Sequence, residues 1–359
     1  MRSTKRGDKI MSWEENVKKV VPYVPGEQPK TKVIKLNTNE NPYPPSPKVS
    51  EALKHFDIDS LRLYPDVNAG ELGEKLAEVY GVDKDQVFVG VGSDDVLAVA
   101  FLTFFASGKK VLFPDITYSF YDVWADLYGI PYEFVPLDDN FRIKKEDYYK
   151  DNGGIVIPNP NAPTGVEKSV EDLEDIIKAN RNQVVIIDEA YIDFGGKSVL
   201  PLIEKYDNLL VVQTFSKSRC MAGARIGMAF GSKKLIKYMN DVKFSINSYT
   251  MNRLTVAAGT AMLEDQAYFE ETCAKVIATR ERVKKELKEL GFSFPDSKSN
   301  FIFATHKSVP AKEIFEAAKA AGIYVRWWGK ARIDNYLRIS IGTDEEMDSF
   351  ISFLKDYLA

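Results

Sequence analysis

Short, mostly apolar runs recur between residues 86 and 230. They are QVFVGV (86–91), KVLFP (110–114), YEFVPL (132–137), GIVIP (154–158), QVVIID (183–188), LLVVQTF (209–215) and IGMAF (226–230). A strand with one solvated face alternates apolar and polar residues, so strands without alternation are covered on both faces. Stretches with apolar residues at helical spacing, such as 118–128 and 170–179, separate several of them. Strands alternating with helices imply parallel neighbours. The pattern predicts an α/β domain over about residues 62–264, with a mostly parallel seven-stranded sheet covered by helices. Residues 265–290 then carry charged and apolar positions at the period of one long connecting helix. Beyond Gly291 come SNFIFAT (299–305), a helix over 311–321, IYVRW (323–327), YLRISIG (336–342) and a last helix over 344–358. These predict a smaller α+β domain over 265–359. Residues 1–61, rich in Pro and Asn (LNTNENPYPPSP), read as an extended arm and part of that small domain.

Composition narrows the function classes. The 359 residues carry 48 Lys and Arg against 52 Asp and Glu, a formal net charge of −4. That balance offers no global basic field for nucleic acid. The longest apolar run, VLAVAFLTFFA (96–106), is far short of the roughly 20 residues a membrane span needs and reads as a buried helix. The start, MRSTKRGDKI, is basic but no apolar region follows, so it reads as a tail and not a secretory signal, with Met11 an equal candidate for the natural start. Two cysteines, Cys220 and Cys273, build no disulfide framework and fit a reducing cytoplasm. The two histidines, His55 and His306, stand far apart, so neither a His-rich metal site nor a Ser-His-Asp hydrolase is expected.

Candidate chemistry sits where the apolar runs end, because open α/β sheets gather ligands beyond the carboxyl ends of their strands. Gly92-Ser93-Asp94-Asp95 follows the first run. The glycine permits a tight turn and the first amides of a helix can hold a phosphate, although the same residues also serve as a plain helix cap. Asn159-Pro160-Asn161-Ala162-Pro163-Thr164-Gly165 forms a rigid loop or an ordinary turn. Asp188 closes the wholly apolar VVIID, where a carboxylate needs a cation or donors, and a structural salt bridge would also satisfy it. Ser216 and Lys217 follow another apolar run. Burial there would depress the amine toward a nucleophile, while a solvated strand end is the plain alternative. Arg225, in GARIG, adds a planar cation suited to phosphate.

Taken in order, GSDD, NPNAPTG, DEAY, SK and GARIG resemble the fold-type I pyridoxal-phosphate enzymes, in particular the class I and II aminotransferases, across the whole large domain. The resemblance implies that Lys217 forms the Schiff base with the aldehyde of pyridoxal 5'-phosphate, that Asp188 pairs with its pyridine nitrogen and that Tyr191 donates to its ring oxygen. It implies that Tyr118 stacks on the ring and that Gly92, Ser93, Asp94, Ser216 and Arg225 hold the phosphate. Tyr64, in RLYPD, matches a tyrosine that reaches the phosphate from the other subunit, which implies a homodimer with shared sites. Most of the family has asparagine immediately before Pro-Thr-Gly where this chain has Ala162, so the ring-oxygen contact passes to Asn161.

Within that family the chain looks most like the histidinol-phosphate aminotransferases, through PYVPG (22–26), LNTNENP (36–42), IYVR (323–326) and LRISIGT (337–343). This implies that Tyr23, Asn39, Arg326 and Arg338 bind the anionic groups of histidinol phosphate and of glutamate or 2-oxoglutarate, in a ping-pong transfer through Lys217. An aromatic or broad-range aminotransferase, or a decarboxylase of a phosphorylated amino acid, would keep the same cofactor motifs. A non-catalytic ligand-binding protein of the same fold is the more remote alternative.

Overall fold

The computed structural model describes residues 13–359; the basic start and Met11 lie outside the described residues. The seven apolar runs form one sheet. Its strands lie in the order Val87–Gly90, Gly227–Gly231, Leu209–Thr214, Val185–Asp188, Gly154–Pro158, Val111–Pro114 and Tyr132–Val135. Only Gly227–Gly231 runs antiparallel to its neighbours. Alternate residues feed two cores. Ile155, Ile157, Val185, Ile187 and Val211 pack on one face, and Phe113, Val156, Ile186, Leu210 and Val212 on the other. Both faces are covered, which explains the missing alternation.

The flanking helices carry their own boundary signals. Val170–Ala179 starts at Ser169, whose hydroxyl accepts from the Asp172 amide, with Glu171 and Asp172 in the first turn. It buries Leu173, Ile176 and Ile177, each contributing on the order of 1.5–3 kcal/mol on leaving water. The long helix Gln266–Glu289 packs with a four-stranded antiparallel sheet of Arg326–Trp327, Leu337–Ser340, Phe301–His306 and Phe292–Ser293. The last helix, Asp344–Leu358, opens with a capping box of Thr343 and Glu346.

Two expectations need correction. The arm is not wholly extended: Pro47–Lys54 is a helix with Ser46 as its cap. Proline reads as a breaker, but in the first turn its missing N–H costs nothing. IYVRW is not one strand either. Ile323–Tyr324 pairs in parallel with Ile34–Lys35, while Arg326–Trp327 joins the four-stranded sheet. The chain changes sheets at buried Val325. Among the described residues no helix is long and apolar enough to cross a membrane, and no cluster of His, Cys, Asp or Glu suits a metal ion.

Candidate active site

Two adjoining cavities of about 180 and 140 Å³ open at the carboxyl ends of the central strands. Thr38, Tyr118, Ala162, Tyr191 and Lys217 line both. A larger surface cavity of about 660 Å³, edged by Lys84, Lys233 and Lys237 against Asp85 and Asp241, holds none of the residues singled out above. Chemistry and not size selects the site.

The first cavity is polar at two ends. At one end Asp188, only 5% exposed, accepts from Tyr121 Oη at 2.7 Å and from the Ala190 amide at 3.2 Å. Burial pushes its carboxyl up to about 6, against the opposing pull of those two donors. None of the ion pairs among the described residues reaches it, so this buried acid is supplied with donors but not with a cation. At the other end Arg225 contacts Ser216 Oγ at 3.5 Å and Asp94 Oδ2 at 3.1 Å. The helix Ser93–Phe104 begins beside it, and its first amides have no partner within the helix. Gly92 stands at φ 86, and a Cβ there would lie 2.4 Å from Arg225 Nη2. A Cβ on Gly227 would lie 2.2 Å from the Gly92 carbonyl carbon. The two glycines therefore make a cradle that only bare backbone can form.

Between the ends lie a flat aromatic and an amine. Tyr118 donates to Asp94 Oδ1 at 2.8 Å, and burial beside that acid holds its phenol well above the ordinary value. Half-buried Lys217 donates to the Thr38 carbonyl at 3.3 Å, and Asn41 Nδ2 donates to the Lys217 carbonyl at 2.9 Å. A planar group with an anion at one end and a basic ring nitrogen at the other matches this donor set. Pyridoxal 5'-phosphate is such a group.

The second cavity is cationic. Arg326 and Arg338 face each other across neighbouring antiparallel strands, a register in which like charges repel. Trp328 lies under both guanidinium groups, at 5.3 and 5.2 Å. Arg338 also donates to the Asn37 carbonyl at 2.8 Å, while its Nε is buried without a partner. Burial holds its guanidinium below the ordinary value, and Arg326 adds to that depression. An anion between the two would relieve the repulsion and satisfy the spare donor. Tyr23 closes this side, stacked on Phe120 with ring centres 4.2 Å apart.

The structure brings Tyr23, Asn39, Ser93, Asp94, Tyr118, Asp188, Tyr191, Ser216, Lys217, Arg225, Arg326 and Arg338 to these walls. It does not bring Asn161: the side-chain amide is spent on the Ile116 carbonyl at 2.9 Å and Thr164 Oγ1 at 3.0 Å, and Ala162 forms the wall instead. Nor does Tyr64 reach the cavity of its own chain; it is 77% exposed and stacks on Tyr249. Tyr121, Thr38 and Asn41 escaped the sequence reading. Tyr121 looks like core at the start of a helix, and the other two act through contacts remote in sequence.

The profile of the family described as aminotransferase class I and II matches residues 31–354. The histidinol-phosphate aminotransferase of Clostridium beijerinckii is 53% identical over 348 residues, covering 97% of each chain. That of Lactococcus lactis subsp. cremoris strain MG1363 is 53% identical over 349 residues, 97% of this chain and 98% of the other. The crystal structure of histidinol-phosphate aminotransferase from Sinorhizobium meliloti in complex with pyridoxal-5'-phosphate has a TM-score of 0.83 at 25% identity, over 90% of both chains. L-threonine-O-3-phosphate decarboxylase from Porphyromonas gingivalis shares the fold with a TM-score of 0.76 at 20% identity, over 91% of this chain and 99% of that one. Fold alone therefore does not choose the reaction.

Proposed function

The chain belongs to the class I and II aminotransferases, and from that premise we propose that it transfers the amino group of L-histidinol phosphate to 2-oxoglutarate, giving imidazole-acetol phosphate and L-glutamate. The observation that carries this reading is full-length identity of 53% to histidinol-phosphate aminotransferases, joined to a cavity with two facing arginines. Such an enzyme belongs to histidine biosynthesis and, with Cys220 and Cys273 as free thiols, to the cytoplasm.

Pyridoxal 5'-phosphate, when bound, supplies an aldehyde carbon that carries the amino group and a ring that accepts the electron pair left at the substrate's α-carbon. Arg225, Ser216 and the amides at the start of Ser93–Phe104 suit its phosphate. Asp188 suits a protonated ring nitrogen, which gives this buried acid the cation it lacks, and Tyr191 suits the ring oxygen. Tyr118 offers the flat surface on which the ring rests.

Arg338 and Arg326, with Tyr23, bind the substrate's phosphate in one half-reaction and a carboxylate of glutamate or 2-oxoglutarate in the other. Anchored there, the amino donor would present its α-hydrogen to Lys217 Nζ, and that amine would hold the proton between its removal and its return. A fixed anion and a fixed lysine convert an encounter into an oriented transfer.

The proposal includes a homodimer in which Tyr64 completes the partner's phosphate site. Ile58, Leu61, Leu63 and Tyr64 form an exposed apolar stretch that a second subunit would cover. The test of the whole reading begins with colour. Purified protein should be yellow, and borohydride should fix the cofactor to Lys217. Histidinol phosphate should bleach the visible band in a single turnover, and 2-oxoglutarate should restore it. A colourless protein after incubation with the cofactor, or Lys217→Ala that still transaminates, rules the reading out.

A further inference from the structure

The hydrogens around Tyr191 can be assigned one after another. The backbone N–H of Asn39 donates to Ser340 Oγ at 2.9 Å, so the hydroxyl hydrogen of Ser340 must point elsewhere. Asn39 Oδ1, also 2.9 Å away, accepts it. No other acceptor for that buried hydrogen is present among the described residues, so the amide oxygen faces Ser340 and its Nδ2, which can only donate, faces Tyr191 Oη at 3.0 Å. A phenol oxygen that accepts from Asn39 turns its own hydrogen away. Among the described residues no side chain or carbonyl takes that hydrogen, and Tyr191 lines both cavities beside Lys217.

The scaffold is built to keep this direction. Asn39 and Ser340 are 1% and 2% exposed. Asn39 sits at φ 55, a left-handed conformation that asparagine tolerates better than most residues, and its carbonyl accepts from Asn300 Nδ2 at 3.0 Å. Ser340 lies on the strand Leu337–Ser340 that also carries Arg338. No second donor comes from the loop opposite, because Ala162 is a methyl group and the Asn161 amide is already engaged.

We infer that Asn39 and Ser340 are positioning residues that aim the Tyr191 hydroxyl hydrogen at the ring oxygen of the bound cofactor, and so lower the pH at which the cofactor's visible absorbance titrates. The inference rests on the proposed function, since it takes Tyr191 as facing that oxygen. A donor stabilises the ionised ring oxygen. Losing it raises the absorbance midpoint by on the order of one pH unit, a tenfold change in proton affinity.

The experiment titrates the visible absorbance of the holoenzyme for the parent, Tyr191→Phe, Asn39→Asp, Ser340→Ala, and each of the last two combined with Tyr191→Phe. Asn39→Asp replaces the donor with an acceptor that draws the tyrosine hydrogen away from the cavity. Its midpoint should rise at least as far as that of Tyr191→Phe, and the rise should shrink to the effect of the added charge when Tyr191 is already phenylalanine. Ser340→Ala leaves the charge unchanged and frees the amide to turn over, so it should shift the midpoint in the same direction and lose that shift in the double variant. It carries the test alone if Asn39→Asp takes up no cofactor. An unmoved midpoint in the single variants, or a shift of equal size with and without the Tyr191 hydroxyl, overturns the inference. A parent protein with no visible chromophore removes the aminotransferase reading itself, and the inference with it.

Discussion

Replacing Asp188 with asparagine should stabilise the cofactor-free protein while disabling the enzyme. Burial raises this carboxyl from an ordinary 3.8 to about 6. The folded chain thus holds the Asp188 proton more tightly than the unfolded chain does. Its contribution to stability is intact below about pH 4 and is lost as the pH rises through 6. Two pKa units correspond to about 3 kcal/mol above that range. Asparagine carries no charge to desolvate and can keep both contacts, with Oδ1 on the Ala190 amide and Nδ2 toward the Tyr121 oxygen, which now accepts. Urea unfolding of cofactor-free Asp188→Asn at pH 8 should therefore show a gain of roughly 1–3 kcal/mol that shrinks toward zero near pH 4. Turnover should fall by at least about 100-fold, because an amide cannot pair with a cationic ring nitrogen and a charge-assisted bond is worth about 3 kcal/mol. A gain that is absent at pH 8, or as large at pH 4, would refute the assignment of the shift to desolvation. Unimpaired turnover would refute the pairing.

Other expectations follow from the same geometry. Arg338→Ala should raise KM for both histidinol phosphate and glutamate about 10–100-fold, the worth of a charge-assisted bond of about 1.5–3 kcal/mol, and steady-state kinetics would expose a change confined to one substrate. Gly92→Ala should cost about 1–3 kcal/mol in thermal or urea unfolding for its φ of 86, and should weaken cofactor binding by displacing the Arg225 guanidinium. Mixing inactive Lys217→Ala with inactive Tyr64→Ala subunits should restore activity, since one site of the mixed dimer has both residues. No recovery after verified subunit exchange would argue against sharing.

The sequence was most legible where one local pattern decides the outcome. Gly154–Pro158, Val170–Ala179 and Asp344–Leu358 match the expected ranges because uniform burial, an N-cap with periodic apolar positions, and a capping box each act within a few residues. Legibility failed where contacts remote in sequence take over. Arg326–Trp327 leaves its expected strand to pair with Leu337 and Arg338, and that break creates the arginine pair. Ser46-Pro47 reads as a breaker in composition and as a helix start in structure. Asp188, which ends a strand, and Lys217, which follows one, were visible as polar groups out of place. Tyr121 was not, since an aromatic at a core-facing helical position differs from its neighbours only through a hydroxyl 2.7 Å from Asp188. Asn161 misled in the opposite sense: its place beside Ala162 in sequence hid an amide committed to the Ile116 carbonyl and to Thr164 Oγ1.

Which amino donor the two arginines select is decided by a donor panel with 2-oxoglutarate. Histidinol phosphate, phenylalanine and threonine phosphate are compared by kcat/KM at one pH and ionic strength. Histidinol phosphate should exceed phenylalanine by roughly a hundredfold or more, because a phosphate with about two negative charges and three acceptor oxygens can pair with both facing arginines, whereas the carboxylate of phenylalanine offers one charge to the pair. Brisk turnover of phenylalanine with negligible turnover of histidinol phosphate would contradict it.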